Sequence, residues 1–123
     1  MKFITVWFDI PVTDMARATK FYKEMFGHDL TAMSMGPVSM AMFPMGEGTT
    51  GCGSLTMGPG YVPSVDGTKV YFSCGDDMQP QLDKVESLGG KVLMPKNKIS
   101  DEYGYSALIM DTEGNCVGLH SLH

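Results

Sequence analysis

The chain is short of cysteine, of positive charge, of tryptophan and of long apolar runs, and each shortage excludes something. Its three cysteines, Cys52, Cys74 and Cys116, are odd in number and form no C-x-x-C pair. Neither a disulfide framework nor a zinc ribbon is available, and a reducing cytoplasm is the expected location. Nine basic residues stand against fourteen acidic ones, for a net charge of −5. That sign repels phosphate backbones and anionic lipid heads and mildly attracts cationic small molecules, so no nucleic acid and no membrane is expected as a partner. No apolar run approaches the roughly 20 residues needed to cross a bilayer, and only six uncharged residues follow Lys2 before Asp9 interrupts. Neither a transmembrane helix nor a signal peptide is expected.

What remains is an ordinary globular composition: 123 residues, 43% hydrophobic and 19% charged, which predicts one domain. The one excess is methionine, with twelve in all and six (Met33, Met35, Met40, Met42, Met45 and Met57) between residues 33 and 57. Thioethers can hold Cu(I), but the stretch has no histidine or paired cysteine. The spacing of two within Met33/Met35 and Met40/Met42 reads instead as paving on one face of two successive strands.

Residues 2–9, rich in β-branched and aromatic side chains, read as a strand ended by Pro11. Thr13-Asp14 offers a helix cap, after which Met15, Ala18, Tyr22, Met25 and Phe26 recur at helical spacing until Gly27. Short period-two runs at 29–35, 38–43 and 51–57 predict three more strands. Residues 58–67 hold Gly58, Pro59, Gly60, Pro63 and Gly67 and read as a linker. The pattern then repeats: a strand at 68–74, a helix at about 77–88 closed by Gly89-Gly90, and strands at 91–95, 105–111 and 116–122.

Sliding the chain against itself by 63 places Asp14-Met15 on Asp77-Met78, Tyr22 on Val85, Met25 on Leu88, Gly27 on Gly90, Leu30 on Leu93 and Gly51 on Gly114. The expectation is a single α+β domain over 1–123, made of two tandem βαβββ modules at about 2–57 and 68–122 with curved mixed sheets around a cleft. Neither module alone covers both faces of its sheet.

Three stretches carry a family resemblance: Val12-Thr13-Asp14-Met15-Ala16-Arg17-Ala18-Thr19-Lys20-Phe21-Tyr22, Leu88-Gly89-Gly90-Lys91-Val92, and Asp111-Thr112-Glu113-Gly114-Asn115-Cys116-Val117-Gly118-Leu119. Together they resemble the vicinal oxygen chelate superfamily, which includes glyoxalase I, the extradiol dioxygenases and the bleomycin and fosfomycin resistance proteins. In metal-using members the first and last strands of each module supply ligands to a metal that chelates two adjacent substrate oxygens. The resemblance places those four positions at Trp7, Leu55, Val70 and Gly118, where no side chain can ligate. The family's Gly-Asn-x-x-Glu ends here in Gly118. No metal and no cofactor is therefore expected at the usual site, a divalent metal having only a non-standard position left to it.

The same positions outline a cleft. With period two along each strand, Phe3, Thr5 and Asp9 join Trp7, Phe72 and Cys74 join Val70, and Cys116 and His120 flank Gly118. Such a wall suits a flat or aromatic organic ligand, with Gly118 leaving room and Asp9 or His120 fixing orientation. The same side chains also suit an ordinary core between sheets. Tyr103, Gly104 and Tyr105 form an aromatic loop placed to cover the cleft mouth. His120 with Cys74, Cys116 or Asp9 would make an acid–base or nucleophilic pair. His28 and His123 read as solvated, and Lys91, Lys96 and Lys98 as a solvated face. The literal G-x-G-x-x-G at residues 46–51 precedes a strand rather than a helix, so it reads as a mobile flap and not a dinucleotide loop. Two functions stay open: a homodimeric, metal-free protein that binds or sequesters a small organic molecule, resembling the bleomycin resistance branch, or a lyase, isomerase or dioxygenase with a displaced metal or acid–base site at His120 and Asp9.

Overall fold

In the computed structural model, which describes residues 3–46 and 52–123, one helix and one four-stranded sheet are built twice in the same strand order. The first unit contains β1 (Asp9–Pro11), α1 (Met15–Phe26), β2 (Thr31–Met35), β3 (Val38–Met42) and β4 (Ser54–Met57), in sheet order β1-β4-β3-β2. The second contains β5 (Tyr71–Ser73), α2 (Gln79–Leu82), β6 (Lys91–Ser100), β7 (Gly104–Met110) and β8 (Cys116–Ser121), in order β5-β8-β7-β6. In each sheet the first strand pairs parallel with the last and the other pairings are antiparallel. This is the expected α+β architecture of two open mixed sheets. No helix among the described residues is long and apolar enough to cross a membrane.

Local chemistry fixes α1. The Asp14 carboxylate accepts from the Arg17 N–H at 3.0 Å, satisfying one free amide of the first turn. Gly27 ends the helix in the left-handed region at φ 75°, its N–H donating to the Lys23 carbonyl at 2.7 Å. Ala18, Phe21, Tyr22 and Met25 are buried beneath it. The second helix is much shorter than the predicted 77–88. Only Gln79–Leu82 is regular helix, and the chain then winds through successive turns to Gly89. Bonds from Lys84 N–H to Gln81, Val85 N–H to Leu82 and Gly89 N–H to Glu86 have the tighter three-residue spacing.

The first strand also differs from expectation. Pairing begins at Phe8, whose N–H donates to Cys52 and whose carbonyl accepts from Ser54, and it runs through Pro11. Residues 3–7 make no backbone hydrogen bond among the described residues and lie exposed. The core fills the space under α1 and between the units. It runs from Ile10, Leu55, Ala41 and Phe43 through Tyr22 to Val85, Ile109, Val117 and Leu119. Phe72 of the second unit sits among four rings of the first, Phe8, Tyr22, Phe26 and Phe43, at centroid distances of 5.1 to 5.9 Å.

Candidate ligand-binding site

Strand pairing decides which side chains share a surface. In the first sheet Asp9 lies opposite Ser54 and Ser54 opposite Met42, while Pro11, Thr56 and Met40 form the next row. Met42 then faces Thr31, Met40 faces Met33, and Val38 faces Met35. Because side chains alternate, all of these lie on the face turned away from the core residues Ile10, Leu55 and Ala41. Met33, Met35, Met40 and Met42 thus pave one continuous surface, with Met33 and Met40 as direct cross-strand neighbours.

Trp7 stands over this surface and divides it. One hollow of about 350 Å³ is lined by Trp7, Asp9, Met35, Val38, Met40, Thr56 and Tyr61. A second of about 260 Å³ is lined by Trp7, Thr31, Met42, Phe43, Pro44 and Met45. Asp9 is the one charged residue in either lining. Its Oδ1 accepts from the hydroxyls of Thr56 at 2.9 Å and Ser54 at 3.3 Å, both buried, so the carboxylate is held in place at the edge of an apolar floor. Trp7 itself is 38% exposed, so its indole is not withdrawn from water in the way a closed cavity wall would require.

The other expected site residues fall elsewhere. Asp9, Val70 and Cys116 do meet, in a separate groove of about 230 Å³ between the units, beside Val62, Ser64 and Asn115. Leu55 is a core residue facing α1, whereas Phe72, half-buried, lines a small separate hollow of about 140 Å³ with Tyr22, Phe26, Leu30, Phe43 and Cys52. Tyr105 likewise packs toward the core, with the Lys96 ammonium 5.0 Å from its ring centre. Gly118 does not leave room for a ligand, because the Tyr71 ring lies where its side chain would be. Tyr103 is exposed on the turn before β7, and its carbonyl accepts from His120 Nε2 at 2.6 Å. That bond occupies one of the two ring nitrogens of His120; no hydrogen bond joins it to Asp9, and Cys74 meets it only through backbone, N–H to carbonyl at 2.7 Å. Burial pushes the Cys74 thiol up to about 11, a slight lowering by the His120 backbone notwithstanding, so it is not a ready thiolate. Glu47, Gly48, Thr49, Thr50 and Gly51 of the expected flap lie outside the described residues.

The misplaced strand faces share one cause. The offset of 63 matches the buried helix faces, but the left-handed glycine that ends the second helical segment is Gly89, at φ 98°, one residue before the matched Gly90. A slip of one residue moves a strand's side chains to the opposite face, which sends Leu55 into the core while its match, Gly118, stays on the open side. Tyr61 gave no signal, since it lies in the segment read as a linker, whereas the methionine spacing did mark the floor.

These residues do not fit the divalent metal of the metal-using enzymes. Trp7, Leu55, Val70 and Gly118 bring no donor atoms, and among the described residues no three His, Cys, Asp or Glu side chains converge.

Residues 5–46 match the family described as bleomycin resistance protein-like N-terminal. A glyoxylase-like domain-containing protein of Didymella fabae is 30% identical over 112 residues, covering 87% of this chain and 84% of that protein. The chain belongs to the vicinal oxygen chelate superfamily. A Mycobacterium bovis protein named as a glyoxylase, CFP32, is 32% identical over 117 residues, covering 92% of this chain but 43% of that protein, so the chain spans under half the length of this relative. Among solved structures, TnmS3, an antibiotic binding protein from Streptomyces sp. CB03234, superposes with a TM-score of 0.60 at 25% identity, covering 98% of both chains.

Proposed function

We propose that the protein binds and sequesters a flat organic molecule, neutral or cationic, on the methionine-paved trough of its first sheet, without a metal. The observation that carries this reading is Trp7 standing between two hollows of about 350 and 260 Å³, the smaller mainly apolar and the larger of mixed lining with a single anchored carboxylate at its edge. Hollows of this size suit a small ligand, methionine adapts its shape to varied partners, and the indole supplies a stacking plane. Asp9 adds attraction for a cation in a protein already of net charge −5. The superposition on an antibiotic binding protein supports a binding role.

The test uses Trp7, the chain's single tryptophan, as the reporter. Titration with acridine orange, a planar cation, and with 1-aminoanthracene, planar and neutral, is expected to quench its emission saturably. Asp9→Asn weakens the first by about fivefold, the size of a partly screened ion pair, and leaves the second unchanged. Absence of saturable quenching by either dye at high micromolar concentration overturns the reading. Stoichiometric zinc, nickel, iron or manganese surviving dialysis overturns its metal-free part.

A further inference from the structure

The described methionines range from fully buried through half-buried to exposed, a spread that the binding role does not by itself require. Met25 and Met78 are fully buried at 0% exposure, whereas Met33, Met35 and Met45 stand out at 44%, 61% and 58%. The two most exposed occupy matching places: Met35 lines one hollow and Met45 the other, with Trp7 common to both. Met33 lies between them on the strand surface, opposite Met40. The methionines most open to a solvent oxidant therefore include one in the lining of each hollow and one on the strand surface beside them.

We infer that Met33, Met35 and Met45 form a reversible oxidation site that switches the trough from apolar to polar. The co-reactant is a peroxide. Each thioether sulfur takes one oxygen atom from hydrogen peroxide, whose O–O bond breaks and whose remainder leaves as water, the sulfur giving up two electrons to become a sulfoxide. A sulfoxide is polar and chiral where the thioether was apolar and flexible. An aromatic ligand lying on it would cover an acceptor without offering a donor, weakening binding by about tenfold for each sulfoxide so covered. Methionine sulfoxide reductases, one for each epimer, return the sulfur to the thioether with electrons from a dithiol. The ligand-release half of this inference rests on the trough being the ligand site; the change around Trp7 does not.

The experiment treats the folded protein with hydrogen peroxide, maps sulfoxides by peptide mass spectrometry, and records Trp7 emission and acridine orange affinity before and after. Oxidation is expected first at Met35, Met45 and Met33, with Met25 and Met78 protected, together with a red shift of Trp7 emission and dye binding weaker by about tenfold or more. The two reductases together restore both. In a variant carrying Met33→Leu, Met35→Leu and Met45→Leu, substitutions that conserve apolar volume, peroxide is expected to leave Trp7 emission where it stood before treatment. Oxidation of Met25 and Met78 as fast as Met35, or full oxidation of the three with unchanged emission and affinity, overturns the inference. A protein that binds no dye before treatment refutes the ligand reading separately, and the emission then judges the switch alone.

Discussion

The phenol of Tyr22, buried on α1, donates to Asp111 Oδ2 at 2.6 Å in the turn between β7 and β8 of the other unit. Asp111 also accepts from the side chain of Asn115 at 3.0 Å and from the backbone N–H groups of Glu113 and Asn115 at 2.8 and 2.9 Å. Asn115 in turn donates to the Pro11 carbonyl at 2.7 Å. A buried carboxylate is thereby satisfied by groups from both units, and the turn that carries much of the family resemblance locks the first helix and the first strand onto the second sheet. Burial and the Asp111 charge both push the Tyr22 phenol well above its ordinary value, so it remains a donor at any physiological pH.

Tyr22→Phe keeps the ring contacts with Phe21, Phe43 and Phe72 and removes only this donor. The expected loss is about 1–3 kcal/mol of unfolding free energy by urea denaturation, with dye binding at the trough unchanged. An unaltered urea midpoint would show that the remaining donors satisfy Asp111 without Tyr22.

Glu113 forms a second clasp. Its Oε1 accepts from the N–H groups of Thr13 and Asp14, both at 2.9 Å, its Oε2 accepts from Arg17 Nε at 2.7 Å, and its side chain is closed to solvent. Burial alone would raise its pKa, but the bonds from Arg17, Thr13, Asp14 and Thr112 prevail and hold it at about 2. A pKa depressed on folding gives stability that is complete above the ordinary value near 4.5 and drains away as pH falls toward 2, about 3 kcal/mol over that window. Glu113→Gln is expected to flatten that slope in acid denaturation; an unchanged slope would locate the acid sensitivity elsewhere.

Much of this was legible in the sequence, and the exceptions are specific. Asp14 and Gly27 announced α1 because a cap and a left-handed stop are local chemistry. The paired methionines announced the trough floor because a period of two is local as well. Leu55 and Phe72 lie on the core side because the pairings Ile10 with Leu55 and Phe72 with Leu119 set the register, one residue away from the positions that the family resemblance and period two implied. Tyr61 and Tyr71 were invisible because their roles depend on where a turn-rich connection and an edge strand come to rest. The bond from His120 Nε2 to the Tyr103 carbonyl, seventeen residues away, depends on how the turn before β7 lies against β8, which strand parity does not encode.

Cys74 provides a chemical check on the absence of a thiolate. With its thiol pushed up to about 11 by burial, alkylation by iodoacetamide at pH 7 is expected to be slow and to accelerate only as pH approaches that value. Rapid labelling at neutral pH, assigned to Cys74 by mass spectrometry, would reopen it as a nucleophile.

Residues 3–6 expose Phe3, Ile4 and Val6, β-forming side chains with no partner strand among the described residues. An exposed apolar extended segment is a template for pairing, and a second copy of the chain is the proposed partner. In an extended chain Ile4 and Val6 share the face opposite Trp7, so pairing there leaves the trough open. Light scattering at high micromolar concentration is expected to give twice the 13.4 kDa chain mass. Ile4→Ser with Val6→Ser shifts it toward the single-chain value, and a monomeric parent protein would contradict the arrangement.

Trp7 separates binding from stability most cleanly. At 38% exposure, over an open floor rather than inside the core, its indole contributes little to folding. Trp7→Ala is therefore expected to cost about 1 kcal/mol or less, where a packed core tryptophan would cost about 3–5 kcal/mol. The two hollows it divides would merge into one shallow surface without a stacking plane. Affinity for 1-aminoanthracene, followed by the dye's own fluorescence, should fall by about tenfold, the worth of an aromatic contact together with the area it covers. Because the dye is neutral, Asp9 does not enter this comparison, and the loss measures the indole alone. If Trp7→Ala unfolds the protein, the indole belongs to the core; if it folds and binds the dye as before, the ligand lies in the groove of Val70 and Cys116 instead.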